Sequence, residues 1–185
     1  LRSERNHKTN VLVTTVIGFP HGGSTTATKV FETEQAVKAG CAEVDMVLNI
    51  GRLVSGDYDY VEREIRAVAQ AAHAAGAIVK VILENALLTD ELKREACRIC
   101  EKGDADFVKT STGYAKSGAV LEDVKLMRRS CSSGVKVKAA GGVRTLDDAL
   151  AMRAAGAERL GATATIAILT DAMKREADGT LMEKG

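Results

Sequence analysis

Asp106-Phe107-Val108-Lys109-Thr110-Ser111-Thr112-Gly113 reads as a short apolar strand with a lysine near its C-terminal end, closed by a polar turn and a glycine. A buried strand seldom holds a lysine, because removing an unpaired ammonium from water is expensive. Val135-Lys136-Val137-Lys138-Ala139-Ala140-Gly141-Gly142 repeats the pattern further along: apolar strand, lysine, glycines. Two such lysines brought together would each lower the other's pKa, turning one into a neutral amine able to attack a carbonyl.

Outward from these two stretches, short apolar runs recur between helical patterns. The expected strands are Val11–Phe19, Glu43–Asn49, Ile78–Glu84, Asp106–Ser111, Gly134–Ala139 and Arg159–Thr163. Amphipathic spacing predicts helices over Thr26–Ala39, Tyr58–Ala75, Thr89–Lys102, Val120–Arg129, Leu146–Ala155 and Ile166–Met173. Strand–helix units of this kind need right-handed crossovers to parallel partners. No GxGxxG follows the first strand and no GxxxxGK[ST] occurs, which argues against a dinucleotide or P-loop sheet. Polar residues instead end several strands: Asp45, Glu84, Lys109, Lys138 and Thr163. A closed barrel gathers such residues at one mouth, so the expected fold is α/β, a TIM (β/α)8-type barrel. Residues 1–185 are read as one domain holding about six of the eight units and incomplete at the N-terminal side.

Composition fits that class. The chain is 45% hydrophobic but only 3% aromatic, the Ala- and Val-rich balance of helices on parallel strands. A net charge of +1 gives no global field for nucleic acid or an anionic membrane, and no apolar run is long enough to span one. Cys97-Arg98-Ile99-Cys100 has CxxC spacing but falls within a helix, without a second pair or a histidine cluster. It is read as helix packing, with no metal site, in a reducing compartment. His7, His21 and His73 are scattered and are read as surface or loop residues. The polar start Leu1-Arg2-Ser3-Glu4-Arg5-Asn6 resembles neither a signal peptide nor a natural start, and is read as a cut into a longer chain.

Alternate residues share a strand face. Lys109 falls with Phe107 and Ser111, Lys138 with Lys136, Asp45 with Glu43, and Glu84 with Ile82 and Lys80. Asp45, Lys109 and Lys138 are expected to form one layer near the top of the barrel. There one lysine forms a Schiff base, the other perturbs it, and the carboxylate moves protons. Lys80 and Lys136 precede that layer and are read as structural, with Glu43 as a partner for either. Gly141-Gly142 before one helix and Gly161-Ala162-Thr163 before the next offer backbone N–H groups to an anion, the arrangement of a barrel phosphate site.

Gly18-Phe19-Pro20, Glu43-Val44-Asp45-Met46-Val47, Phe107-Val108-Lys109-Thr110-Ser111-Thr112-Gly113 and Val137-Lys138-Ala139-Ala140-Gly141-Gly142-Val143-Arg144-Thr145 together resemble deoxyribose-phosphate aldolase. So does Asn49-Ile50-Gly51 followed by Ser55-Gly56-Asp57-Tyr58, and the match runs in order from about Val11 to Ile168. The resemblance implies that Lys109 is the Schiff-base lysine, Lys138 the lysine that perturbs it, and Asp45 part of the proton relay. It adds Thr112 and Gly113 to Gly141, Gly142, Gly161 and Thr163 as the substrate- and phosphate-binding set. The implied reaction is reversible cleavage of 2-deoxy-D-ribose 5-phosphate to D-glyceraldehyde 3-phosphate and acetaldehyde, with no cofactor. The implied partner is a small phosphorylated sugar, the setting cytoplasmic, with a homodimer as a further expectation.

Two departures qualify the resemblance. Thr163-Ala164 stands where the family has a serine pair, and the family's first two strand–helix units have no counterpart. Six strands should leave the first and last unpaired, favouring self-association, low stability and weak turnover. Two other readings stay open at this point: a different class I Schiff-base aldolase, and a non-catalytic or vestigial phosphosugar-binding barrel fragment.

Overall fold

The computed structural model describes residues 11–181; Leu1–Asn6 and His7 lie outside them. The strands are β1 (Thr14–Ile17), β2 (Glu43–Val47), β3 (Ile78–Ile82), β4 (Phe107–Lys109), β5 (Lys136–Ala140) and β6 (Arg159–Gly161). The helices are α1 (Thr26–Lys38), α2 (Ile50–Val54), α3 (Tyr58–His73), α4 (Asp90–Lys102), α5 (Leu121–Ser130), α6 (Leu146–Ala154) and α7 (Thr165–Ala177). A 3-10 turn covers Asn85–Leu87.

All neighbouring strands pair parallel in chain order, β1-β2-β3-β4-β5-β6, so every connection is a crossover carrying a helix or helices. Among the described residues β1 and β6 each have one neighbour, and the sheet stays open between them. Curvature follows from side-chain reach. In a flat sheet β2 and β5 stand about 14 Å apart. Lys138 on β5 nevertheless lies 2.8 Å from Asp45 on β2, and Arg159 on β6 reaches Glu43. The sheet is strongly curled, as an incomplete barrel.

The two sheet faces differ sharply. The outward face carries Val44, Met46, Val79, Val81, Val108, Val137 and Ala139, all buried under the helices in one hydrophobic cluster. From α3, Val61, Ile65, Val68, Ala69 and Ala72 enter that layer, and from α4 Ala96, Cys97, Ile99 and Cys100. The inward face carries Glu43, Asp45, Lys80, Phe107, Lys109, Lys138 and Arg159. Val16 shows what the open edge does: it shares the inward face with Asp45, its register partner, yet is 42% exposed, whereas Ile17 on the outward face is 1% exposed.

Behind the sheet, Lys29 of α1 and Glu64 of α3 form an ion pair at 2.7 Å with both side chains fully buried. Lys29 also donates to the Val47 carbonyl at 2.8 Å, fastening α1 and α3 to the end of β2. Cys97 and Cys100 are buried on α4, and all four cysteines are unbridged. Among the described residues no group of His, Cys, Asp or Glu could hold a metal ion, and no helix is long and apolar enough to cross a membrane. His73 ends α3, its side chain partly exposed, and lies 2.9 Å from Asp106, whose carboxylate also accepts from the Val79 N–H. His21 is exposed in the loop after β1.

Candidate active site

Asp45 is the hub. It sits on β2, 2% exposed, and its Oδ2 accepts from Lys109 Nζ and from Lys138 Nζ, each at 2.8 Å. Its Oδ1 accepts from Lys80 Nζ at 2.8 Å and, more weakly, from the Thr14 hydroxyl at 3.4 Å. Burial by itself would raise the Asp45 pKa. The ammonium groups of Lys109 and Lys138 outweigh it and hold the carboxyl far below the usual carboxylate range. Lys138 moves in the opposite sense to an ordinary ion-paired lysine. Burial is the largest influence and lowers its pKa, and with the Lys109 and Lys80 charges it outweighs the attraction of Asp45. It surrenders a proton more readily than a free lysine.

The three expected residues do converge, but not from one register row. Asp45 pairs in register with Lys80, Lys80 with Phe107, and Phe107 with Lys136. Lys109 pairs with Lys138, and Lys138 with Arg159, one row nearer the mouth. The long lysine stems close the gap. Lys80 therefore belongs to the charge cluster, where alternation alone set it below. It is fully buried, 2.6 Å from Glu43 and 2.8 Å from Asp45. Glu43 also takes Arg159, and its pKa is lowered despite burial by the Arg159 and Lys80 hydrogen bonds. Lys136 stays outside, exposed beside Glu158 and the Phe107 ring.

The turn after β4 is tied on both sides. Thr110 gives its hydroxyl to the Ala140 carbonyl at 3.1 Å and accepts the Ala140 N–H at 3.0 Å. Thr112 gives both its hydroxyl and its N–H to the Glu84 carboxylate, leaving Gly113 at the tip with φ +93. The loop then returns across β5: Ala119 N–H donates to the Ala140 and Gly141 carbonyls, and a Cβ on Gly118 would stand 2.4 Å from Gly141. Glycine is required at that crossing. Gly141 and Gly142 both have φ above +80, a conformation side chains resist.

The two expected anion-binding helix starts are not equivalent. At α6, Thr145 and Asp148 form a reciprocal capping box, and the Asp148 carboxylate also accepts from the Arg144 N–H. The N–H groups of Arg144, Thr145 and Asp148 are taken there and a negative charge is already present. At α7 the N-cap is Ala164, with no side-chain cap and no acidic residue in the first turn. Gly161 ends β6 and Thr163 precedes that open N-terminus, which leaves α7 as the better anion seat.

Comparison with known proteins agrees with this geometry. The family model described as DeoC/LacD family aldolase matches residues 2–169. The chain belongs to the DeoC/LacD aldolase family. A curated deoxyribose-phosphate aldolase from Thermoanaerobacter sp. (strain X514) is 56% identical over 164 residues, 88% of this chain and 74% of that protein. Another from Bacillus cytotoxicus is 53% identical over 169 residues, 91% of this chain and 75% of that protein. Among solved structures, the aldolase QR15 superposes with a TM-score of 0.87 at 40% identity, covering 92% of this chain and 76% of its own. The tetrameric deoxyribose phosphate aldolase from Aeropyrum pernix gives a TM-score of 0.82 at 32% identity, covering 92% and 71%. Aldolase membership accounts for a charged barrel interior that no purely structural core would need.

Proposed function

We propose that this aldolase cleaves 2-deoxy-D-ribose 5-phosphate to D-glyceraldehyde 3-phosphate and acetaldehyde through a Schiff base on Lys109. The observation that carries the reading is the shared Asp45 oxygen, which holds the Lys109 and Lys138 ammonium groups together at 2.8 Å each. The Lys109 amine attacks the C1 aldehyde of the open-chain sugar, and uptake of a proton with loss of water gives the iminium. A base removes the C3 hydroxyl proton, the C2–C3 bond breaks, and its electron pair enters the iminium to leave an enamine. Protonation at C2 and hydrolysis release acetaldehyde and restore the amine. Lys138, with its lowered pKa, is the group that carries those protons, and the ionised Asp45 holds it beside Lys109.

The phosphate belongs at the open α7 N-terminus, with Gly161, Thr163, Gly141 and Gly142 around it and Gly113 on the facing loop. Self-association, at least as a homodimer, and a cytoplasmic setting complete the proposal. The exposed Val16, Ile166, Leu169 and Met173 support the first, and four unbridged thiols the second. Borohydride added with substrate or acetaldehyde should leave a covalent adduct that maps to Lys109. Labelling confined to Lys138 reverses the two lysine roles, and absence of both adduct and retro-aldol turnover rejects the reading.

A further inference from the structure

Glu84 follows the last residues of β3 in a left-handed conformation, φ 55 and ψ 62, which a glutamate seldom adopts. It is 3% exposed, and its carboxylate is directed at one residue, Thr112, accepting the hydroxyl and the N–H. Thr112 Oγ1 in turn accepts the Tyr114 N–H at 3.1 Å. On either side of Glu84 the chain continues the β3–β4 ladder: Leu83 N–H donates to the Lys109 carbonyl and Asn85 N–H to the Thr110 carbonyl. Glu84 also borders a cavity of about 270 Å³ together with Thr112, Tyr114, Pro20 and His21. An uncommon backbone conformation is thus maintained at the barrel mouth to bring a buried carboxylate onto the turn that follows the lysine strand.

We infer that Glu84 is a positioning residue that acts through Thr112, fixing the turn that presents Gly113 to the substrate phosphate. The inference rests on the proposed phosphorylated substrate. Thr110 already ties the turn to Ala140 of β5, so Glu84 supplies the second anchor, from β3. With one anchor gone, Gly113 is free to swing while Lys109, held by β4 and Asp45, stays in place. The consequence is selective. Phosphate recognition suffers and amine chemistry does not.

The test compares kcat/KM for deoxyribose 5-phosphate with that for unphosphorylated deoxyribose. Glu84→Gly removes the carboxylate while suiting the left-handed backbone, and should lower that ratio about tenfold, through KM. Glu84→Gln keeps an acceptor and should restore the ratio to within about threefold. Thr112→Val, which leaves the Glu84 backbone untouched, should reproduce the rise in KM, and the double variant should be no worse than either single one. Calorimetry with inorganic phosphate reads the same effect without turnover, with about tenfold weaker binding in Glu84→Gly. Wild-type protein that binds phosphate but does not cleave the sugar rejects the aldolase reaction and leaves this comparison intact. An unchanged ratio and unchanged phosphate binding in Glu84→Gly, an equal loss on both substrates, or additive effects in the double variant overturn the inference.

Discussion

Lys80 is fully buried and holds Asp45 from the adjacent strand, its Nζ 2.8 Å from Asp45 Oδ1 in the same register row. With Oδ1 taken there, Oδ2 is left to Lys109 and Lys138. Lys80 also neutralises Glu43 at 2.6 Å. Lys80→Met should destabilise the fold by about 1–3 kcal/mol, because Asp45 Oδ1 and Glu43 each lose a buried charged donor while Lys109, Lys138 and Arg159 still partner them. Glu43→Gln on that background should recover part of the loss in a denaturant titration. A single variant as stable as wild type would show that the remaining cations compensate fully for Lys80.

Lys138 gives stability a pH dependence whose sign follows from its lowered pKa. Its folded pKa lies below the free value of 10.5, so above the folded value the native state has released a proton that the unfolded chain still binds. Stability from this group therefore rises as pH climbs from the folded value toward 10.5, and Lys138→Leu should flatten that slope. The same variant removes an ammonium group held 2.8 Å from Asp45 beside Lys109, so activity near pH 7 should collapse. Turnover close to wild type in Lys138→Leu would take Lys138 out of the reaction.

Much of this arrangement was legible in the chain, and the remainder was not for physical reasons. Period-two alternation identified which strand residues face inward, and glycine-closed strand ends located the mouth. Alternation cannot supply register, and register is what brings Lys80 beside Asp45 instead of beneath it. The regular strands are shorter than the expected ones at β1, β2, β3, β4 and β6, although at β2, β3 and β4 ladder bonds continue past them. Leu48 N–H reaches the Ile82 carbonyl and Thr110 N–H the Lys138 carbonyl, outside regular strand. Helix α2 escaped notice because five residues are too few to show a helical period, although Asn49 caps it. Glu84 was recognisable as a polar strand end, but its partner depends on a left-handed backbone that no spacing rule encodes.

The Lys29–Glu64 pair tests how the outer layer is held. Burial dominates for both partners, lowering the Lys29 pKa and raising that of Glu64 against their mutual attraction. Such a pair is expensive to break and inexpensive to replace. Lys29→Met alone should cost about 3–5 kcal/mol, leaving a buried carboxylate and an unpaired Val47 carbonyl. Lys29→Met with Glu64→Leu should return to within about 1–2 kcal/mol of wild type. Equal losses in the single and double variants would mean that the bond from Lys29 to Val47, not the ion pair, is what fastens α1.

Ala164 is the N-cap of α7 and supplies no side-chain acceptor, while Thr163 keeps a hydroxyl beside it. A serine at that position can accept an N–H of the first helical turn and still donate its own proton to an anion. Ala164→Ser should stabilise the fold by about 1 kcal/mol through the cap, seen as a rise of about 2–4 °C in melting temperature. It should also add one charge-assisted hydrogen bond to a phosphate seated at α7, tightening phosphorylated ligand by about tenfold or more. Unphosphorylated deoxyribose should bind as before. The two effects separate cleanly, because the melting shift is measured without ligand and the affinity change by calorimetry. A higher melting temperature with unchanged phosphate affinity would confirm the cap and place the phosphate away from α7. Equal tightening of both sugars would mean that the added hydroxyl meets the sugar chain instead.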